Sequence, residues 1–348
     1  MTTTAVPVAT SPVAPAVARR ARRVAVLPAT IVTQVVVALV VAALVASRAD
    51  DAALSPVALV GLVVGMAMSS ALITWPSGLY AGALAVLDGD AEPDCGASCP
   101  GAAEADPFVG GAMWRRSFVL AALVGAWALG GAVLLAVVLD NRPARAAVIV
   151  AALVGVCASA AVLVESAARH RGRHAAARLR REPPTAVPLR RRAWREIALP
   201  LAVTQFAVNA GAGWLLFHDD TVHDQFARHA LTRSSALADL TVVIVVLALV
   251  FAVAFADVWG GVDGRLGRVA LDDPANQRVR VTDAIGWQGI IYVGALGFVL
   301  SSALGYVLPA SPSLAQVMLA RGAFAGVLTL LFSATAYIKG AANAMAEQ

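Results

Sequence analysis

Leu27-Pro28-Ala29-Thr30-Ile31-Val32-Thr33-Gln34 opens one long apolar segment, and Leu199-Pro200-Leu201-Ala202-Val203-Thr204-Gln205 opens another about half a chain later. Two further echoes follow. Trp75 precedes Leu87-Asp88 by the interval that separates Trp259 from Leu271-Asp272, and Trp114 and Trp287 each open a later apolar segment. An arginine-rich stretch divides the two sets. The pattern is that of a duplicated polytopic membrane protein, and it names neither a substrate nor a reaction.

Composition sets the class. Hydrophobic residues make up 59% of the 348 and charged residues 14%, with mean hydropathy +0.75. A soluble domain carries about a quarter charged residues. Crossing the hydrocarbon takes roughly 20 mostly apolar residues per helix. Eight stretches qualify, near 24–47, 56–76, 116–139, 144–166, 196–217, 236–258, 286–308 and 315–338. Their Ala, Val, Leu and Gly run continuously, without the apolar/polar alternation of a barrel strand. The expected fold is therefore all-α. It comprises a cytoplasmic tail at 1–23, four-helix repeats at 24–168 and 196–348, and an Arg-rich cytoplasmic linker at 169–195.

Basic residues orient the spans, because cytoplasmic loops retain Lys and Arg. One side holds Arg19, Arg20, Arg22, Arg23, Arg115, Arg116, the ten arginines from Arg169 to Arg195, Arg265, Arg268, Arg278, Arg280 and Lys339. The other holds Arg48, Arg142, Arg145, Arg228 and Arg233. Both termini are expected in the cytoplasm of a multi-pass plasma-membrane protein. The apolar run after Arg23 exceeds the roughly 7–15 residues of a signal-peptide core and is read as a retained first helix. Residues 1–18 lack a helical period and are expected to be disordered.

The pI near 9.6 invites a nucleic-acid reading. Almost no aromatic residue lies among these arginines, so base stacking is unsupported and no nucleic-acid partner is expected. The lipid bilayer is the expected partner, with anionic headgroups at the Arg-rich linker. Cys157 reads as a small packing residue. Cys95 and Cys99 lie in an expected cytoplasmic loop with no histidine or third cysteine near in sequence to complete a zinc tetrahedron.

Four spans per half give both halves the same orientation. That is the arrangement of parallel transporter repeats, whose substrate sites often lie near the midplane between them. Counted from residues 24 and 196, Gln34 and Gln205 lie roughly 14 to 15 Å deep at 1.5 Å per residue. Intramembrane polar groups are costly without partners, so Thr33, Gln34, Thr204, Gln205 and Asn209 form a candidate midplane site. Counted from Pro28 and Pro200 as first-turn residues, the amides sit only about 9 and 7.5 Å in, and interhelical hydrogen bonding explains them equally. Gly61 with Gly65, Gly322 with Gly326, and Ser301 with Gly305 are small-residue pairs suited to close helix contact, within one chain or in a homodimer. Asp239 and Arg321 lie at similar depth in their spans and form a candidate intramembrane ion pair. Glu165 and Arg169 suit a surface pair one turn apart.

One outer segment carries a ligand-like cluster, His218-Asp219-Asp220-Thr221-Val222-His223-Asp224 with His229. Imidazole plus carboxylate at His218, Asp219, His223 and His229 suits a divalent metal or pH sensing. A plain solvated loop also accounts for it, and no resident cofactor is otherwise expected. Zinc-protease, Walker A, nucleophile-elbow and Rossmann signatures are missing, which argues against an enzyme. Gly260 to Arg265 reads as an interfacial turn. Asp257, Asp263, Asp272 and Asp273 along that stretch suit a metal-bound phosphate.

The leading reading is a transporter or permease-like protein of unspecified substrate. The alternatives are a non-catalytic membrane subunit or sensor acting through a membrane partner, and a membrane-embedded enzyme acting on lipid-linked substrates.

Overall fold

The structure, a computed structural model, describes residues 53–54, 56–89, 106–138, 144–181, 185–217, 255–270 and 313–346. The helices are α1 (Pro56–Leu87), α2 (Gly110–Val138), α3 (Ala146–Arg181), α4 (Leu189–Arg191), α5 (Leu199–Phe217), α6 (Asp257–Arg265) and α7 (Leu314–Ala346). A π-helical segment, Arg192–Ala198, joins α4 to α5. The helical class holds, with two small exceptions. Ala53–Leu54 (β1) pairs antiparallel with Ala144–Arg145 (β2), and Val187–Pro188 (β3) pairs parallel with Val269–Ala270 (β4).

Pro56 starts α1 where a missing N–H costs nothing, and Gly89 (φ 77°) follows its end, with the Asp88 amide donating to the Leu84 carbonyl. At 32, 36 and 33 residues, α1, α3 and α7 are about 48–54 Å long, against a hydrocarbon core of roughly 30 Å. They overrun the expected spans at one end. The overrun is packed: every residue from 71 to 80 of α1 is buried. The stretch expected as a linker at 169–195 contains the last turns of α3, which bury Gly172, Ala175, Ala176 and Ala177, and the start of the π-helical segment.

Helix directions follow from the contacts. Along α1 and α3, Gly78 meets Ala168 and Glu165 while Gly82 meets Arg169, so the positions advance together and the helices are parallel. Between α1 and α2, Met68 meets Gly125 while Tyr80 meets Phe108, two residues before α2, so these two run antiparallel. Among the described residues, α1, α2 and α3 thus alternate in direction.

Glycine sets the closest approaches. A methyl group on Gly82 would overlap the Arg169 carbonyl oxygen, and one on Gly172 would overlap that of Leu79. In the second half, Gly260 lies against the Tyr337 carbonyl and Gly340 against that of Asp257. In both pairs each helix offers a glycine and, three residues earlier, the carbonyl that receives its partner's glycine. Close Cα–H···O contact of this kind replaces side-chain interdigitation. Residues 260–265 are therefore helix, because their glycines serve packing; the turn falls at Gly267 (φ 64°). The tryptophan echo is not carried by this geometry, since Trp75 stands seven residues before Gly82 and Trp259 one before Gly260. Gly322 and Gly326 pack against Phe206 and Ala202, placing that small-residue pair at a contact between α7 and α5 within one chain.

Among the described residues two segments are long and apolar enough to cross a membrane, Gly110–Leu134 and Leu314–Ala346. A soluble core helix would be mostly buried, whereas 28% of the most apolar window of α2 and 44% of that of α7 are buried. Expected spans 24–47 and 286–308 lie outside the described residues, as does 236–258 up to residue 254.

Gly172→Ala and Gly340→Ala should each lower stability by about 1–3 kcal/mol or more, because backbone must move apart. Gly130→Ala, which meets nothing within 4 Å, should lie between neutral and about 1 kcal/mol stabilising. Thermal unfolding of the three purified variants checks this; equal midpoints would refute the seams.

Candidate functional site

The end of α1, the π-helical segment, α6 and α7 enclose a buried ionic centre. Its middle is Asp263 of α6, which is fully buried. Asp263 Oδ2 accepts Arg192 Nε at 2.7 Å and the Tyr80 hydroxyl at 3.1 Å, and it also accepts the Tyr337 hydroxyl. Arg268 Nε stands 3.1 Å from Asp263 Oδ1, within charge attraction but not aligned for a hydrogen bond. An unpaired carboxylate in such a place would be several kcal/mol unfavourable, so its donors are obligatory.

Arg192 distributes its guanidinium over four acceptors. Besides Asp263, Nε reaches the Tyr337 hydroxyl oxygen at 3.0 Å, Nη1 the Glu196 carboxylate at 3.0 Å and Nη2 the Phe108 carbonyl at 2.9 Å. Burial, the largest single influence, opposes its charge; the Asp263 carboxylate together with Tyr80 and Tyr337 outweighs it and holds the Arg192 pKa above the ordinary arginine value. Arg268 adds an ion pair to Asp106 and lies over the Phe108 ring at 5.3 Å. Asp106 in turn accepts the Phe108 amide at 3.0 Å, a short local turn that fixes its carboxylate. Aromatic rings wall the centre: Tyr80 stacks on Trp259 at 5.3 Å, and Trp114 meets Trp259 edge-on at 6.5 Å.

The π-helical segment has an identifiable role. Pro200 lacks the N–H that would bond the Glu196 carbonyl in an α-helix, and the Trp114 indole donates to that carbonyl at 2.9 Å. A wide turn thus lets Arg192 and Glu196 point into the centre while α2 is tied to its backbone. Such π insertions recur at functional sites.

The centre joins residues far apart in sequence. Tyr80, Asp106 and Phe108 come from the first half, and Asp263, Arg268 and Tyr337 from the second. Asp88, after α1, bonds Arg265 of α6 at 2.6 Å.

Of the candidate midplane residues, Thr204, Gln205 and Asn209 are buried on α5, Asn209 one turn beyond Gln205. Their resolved bonds are local. Thr204 Oγ1 donates to the Pro200 carbonyl at 2.9 Å, and Asn209 Nδ2 donates to the Gln205 carbonyl at 2.9 Å and to its Oε1 at 3.2 Å. Glu165 and Arg169 pair as expected, but Glu165 is buried. Thr33, Gln34, His218, Asp219, His223, His229 and Asp239 lie outside the described residues, as does the side chain of Arg321 in α7. Cys95, Cys99, Asp272 and Asp273 also lie outside them. Among the described residues no group of three metal-ligating side chains occurs. Asp263 itself faces two guanidiniums and two phenols, a donor set that disfavours a cation on the same carboxylate.

Sequence reasoning missed the centre. Arg192 is one of ten arginines in its stretch and Asp263 sits in a Gly-rich run, so neither stands out by spacing. The one available signal was an aspartate flanked by glycines at helical spacing, Gly260 and Gly264, which places it on a tightly packed helix.

Comparison with protein-family models, curated proteins and solved structures finds no match to this chain. Arg192→Lys should cost roughly 3–5 kcal/mol, since one ammonium cannot span acceptors on four residues. Arg191→Lys, at an exposed neighbour, should stay within about 0.5 kcal/mol. Comparable unfolding midpoints for the two would remove the energetic case for the centre.

Proposed function

We propose that the chain is a transporter or permease-like plasma-membrane protein of eight spans in two parallel four-helix repeats, closed at its cytoplasmic end by the ionic centre. The observation that carries this reading is the polar linkage between halves at one level: Tyr80 with Asp263, Asp88 with Arg265 and Asp106 with Arg268. The two reciprocal glycine seams support a repeat. Beyond the closure, Gln205 lies nine residues past Glu196, about 13 Å along the helix, where a polar path would begin with Gln205 and Asn209. In this reading the Asp88–Arg265 pair, the more peripheral link, is the first to release when the path opens inward, and the Asp263 centre is the pivot.

Accessibility tests this without knowledge of the substrate. With Cys95, Cys99 and Cys157 replaced by serine, Gln205→Cys should react slowly with a membrane-impermeant maleimide applied from the cytoplasmic side. Asp88→Ala with Arg265→Ala should speed the reaction by about tenfold, corresponding to about 1.4 kcal/mol in the closure equilibrium. An unchanged rate in a folded variant would rule out the closure.

A further inference from the structure

Two helical runs each change along an exposed face from cationic to apolar, close to the hydrogen bond that joins them. Along α2, exposed Arg115 is followed one turn later by exposed Phe118 and Val119. Along α4, the π-helical segment and α5, exposed Arg191 and Arg195 are followed by exposed Leu199 and Val203 at spacings of four. Residues three or four apart share a helix face, so each face runs from cationic to apolar without a break. The Trp114–Glu196 hydrogen bond ties the two transitions together, since Arg115 and Arg195 are the chain neighbours of its donor and acceptor residues. Trp194, 38% exposed, stands at the same point, where an indole suits a membrane–water boundary.

We propose that this paired rim binds an anionic phospholipid of the cytoplasmic leaflet, its phosphate on Arg115 and Arg195 and its acyl chains along Phe118, Leu199 and Val203. The proposal rests on the membrane reading of α2 and α5 and goes beyond the general attraction of the linker arginines to anionic lipid. Guanidinium offers a phosphate two parallel donors, and the adjoining apolar faces supply what a soluble phosphate does not need. A lipid here would bridge the start of α2 to the entry of α5, and so bear on both halves at their shared boundary.

The test uses the full chain in a neutral detergent, with thermal midpoint as readout. Phosphatidylglycerol should raise the midpoint, whereas phosphatidylcholine and soluble glycerol phosphate should not. The increase should fall by about half or more in Arg115→Gln with Arg195→Gln, and persist in Arg173→Gln, which removes one charge from α3 outside the rim. An equal effect of phosphatidylcholine would overturn the charge selectivity, and an equal effect of glycerol phosphate would overturn the lipid source. A full increase in the double variant, or its loss in Arg173→Gln, would overturn the site. Co-flotation with phosphatidylcholine vesicles tests the membrane reading separately.

Discussion

The Asp263 carboxylate is the constraint on which the described structure turns. Fully buried, it must be met by donors: its hydrogen bonds come from α1, the π-helical segment and α7, and a further positive charge, Arg268, faces it from the turn between α6 and β4. A low-dielectric site strengthens each of these bonds and makes each loss costly. The same carboxylate therefore specifies which elements meet and at what level. Buried ion pairs often gain little in stability over hydrophobic packing; what the ionic set supplies is a unique arrangement of two distant chain segments.

The glycine seams and the ionic centre form a single construction. Tyr337 shows the link most clearly, because its carbonyl receives Gly260 while its hydroxyl reaches Asp263, three residues further along α6. A larger residue at Gly260 would push α7 away and withdraw the phenol from the carboxylate. Pro200 and Trp114 play the corresponding part on the other side, where a missing N–H frees the Glu196 carbonyl and an indole takes it. Local chemistry, helix approach and charge neutralisation thus agree on one geometry, as expected of a sequence that specifies a single fold.

The helical class was legible in the sequence because continuous Ala, Val and Leu runs leave no other economical structure in an apolar solvent. Helix ends were not. Hydropathy marks where apolar residues stop, at 76 and 166, while the helices continue to Leu87 and Arg181 because Gly78, Gly82 and Gly172 still pack there. Gln205 and Asn209, one turn apart, share a helix face by spacing alone, with Thr204 beside them. Their local hydrogen bonds depend on the path of α5. Asp263 was visible only as an acid that suited metal, because nothing in its neighbourhood reveals that Arg192 and Tyr80 arrive from far along the chain.

The most direct test of the account is the coupling between Tyr80 and Asp263, which belong to different halves. A double-mutant cycle with Tyr80→Phe and Asp263→Asn, read by unfolding free energy, should give an interaction of about 0.5–3 kcal/mol. Additive effects, with coupling indistinguishable from zero, would mean that the halves do not meet through this carboxylate and would contradict the account.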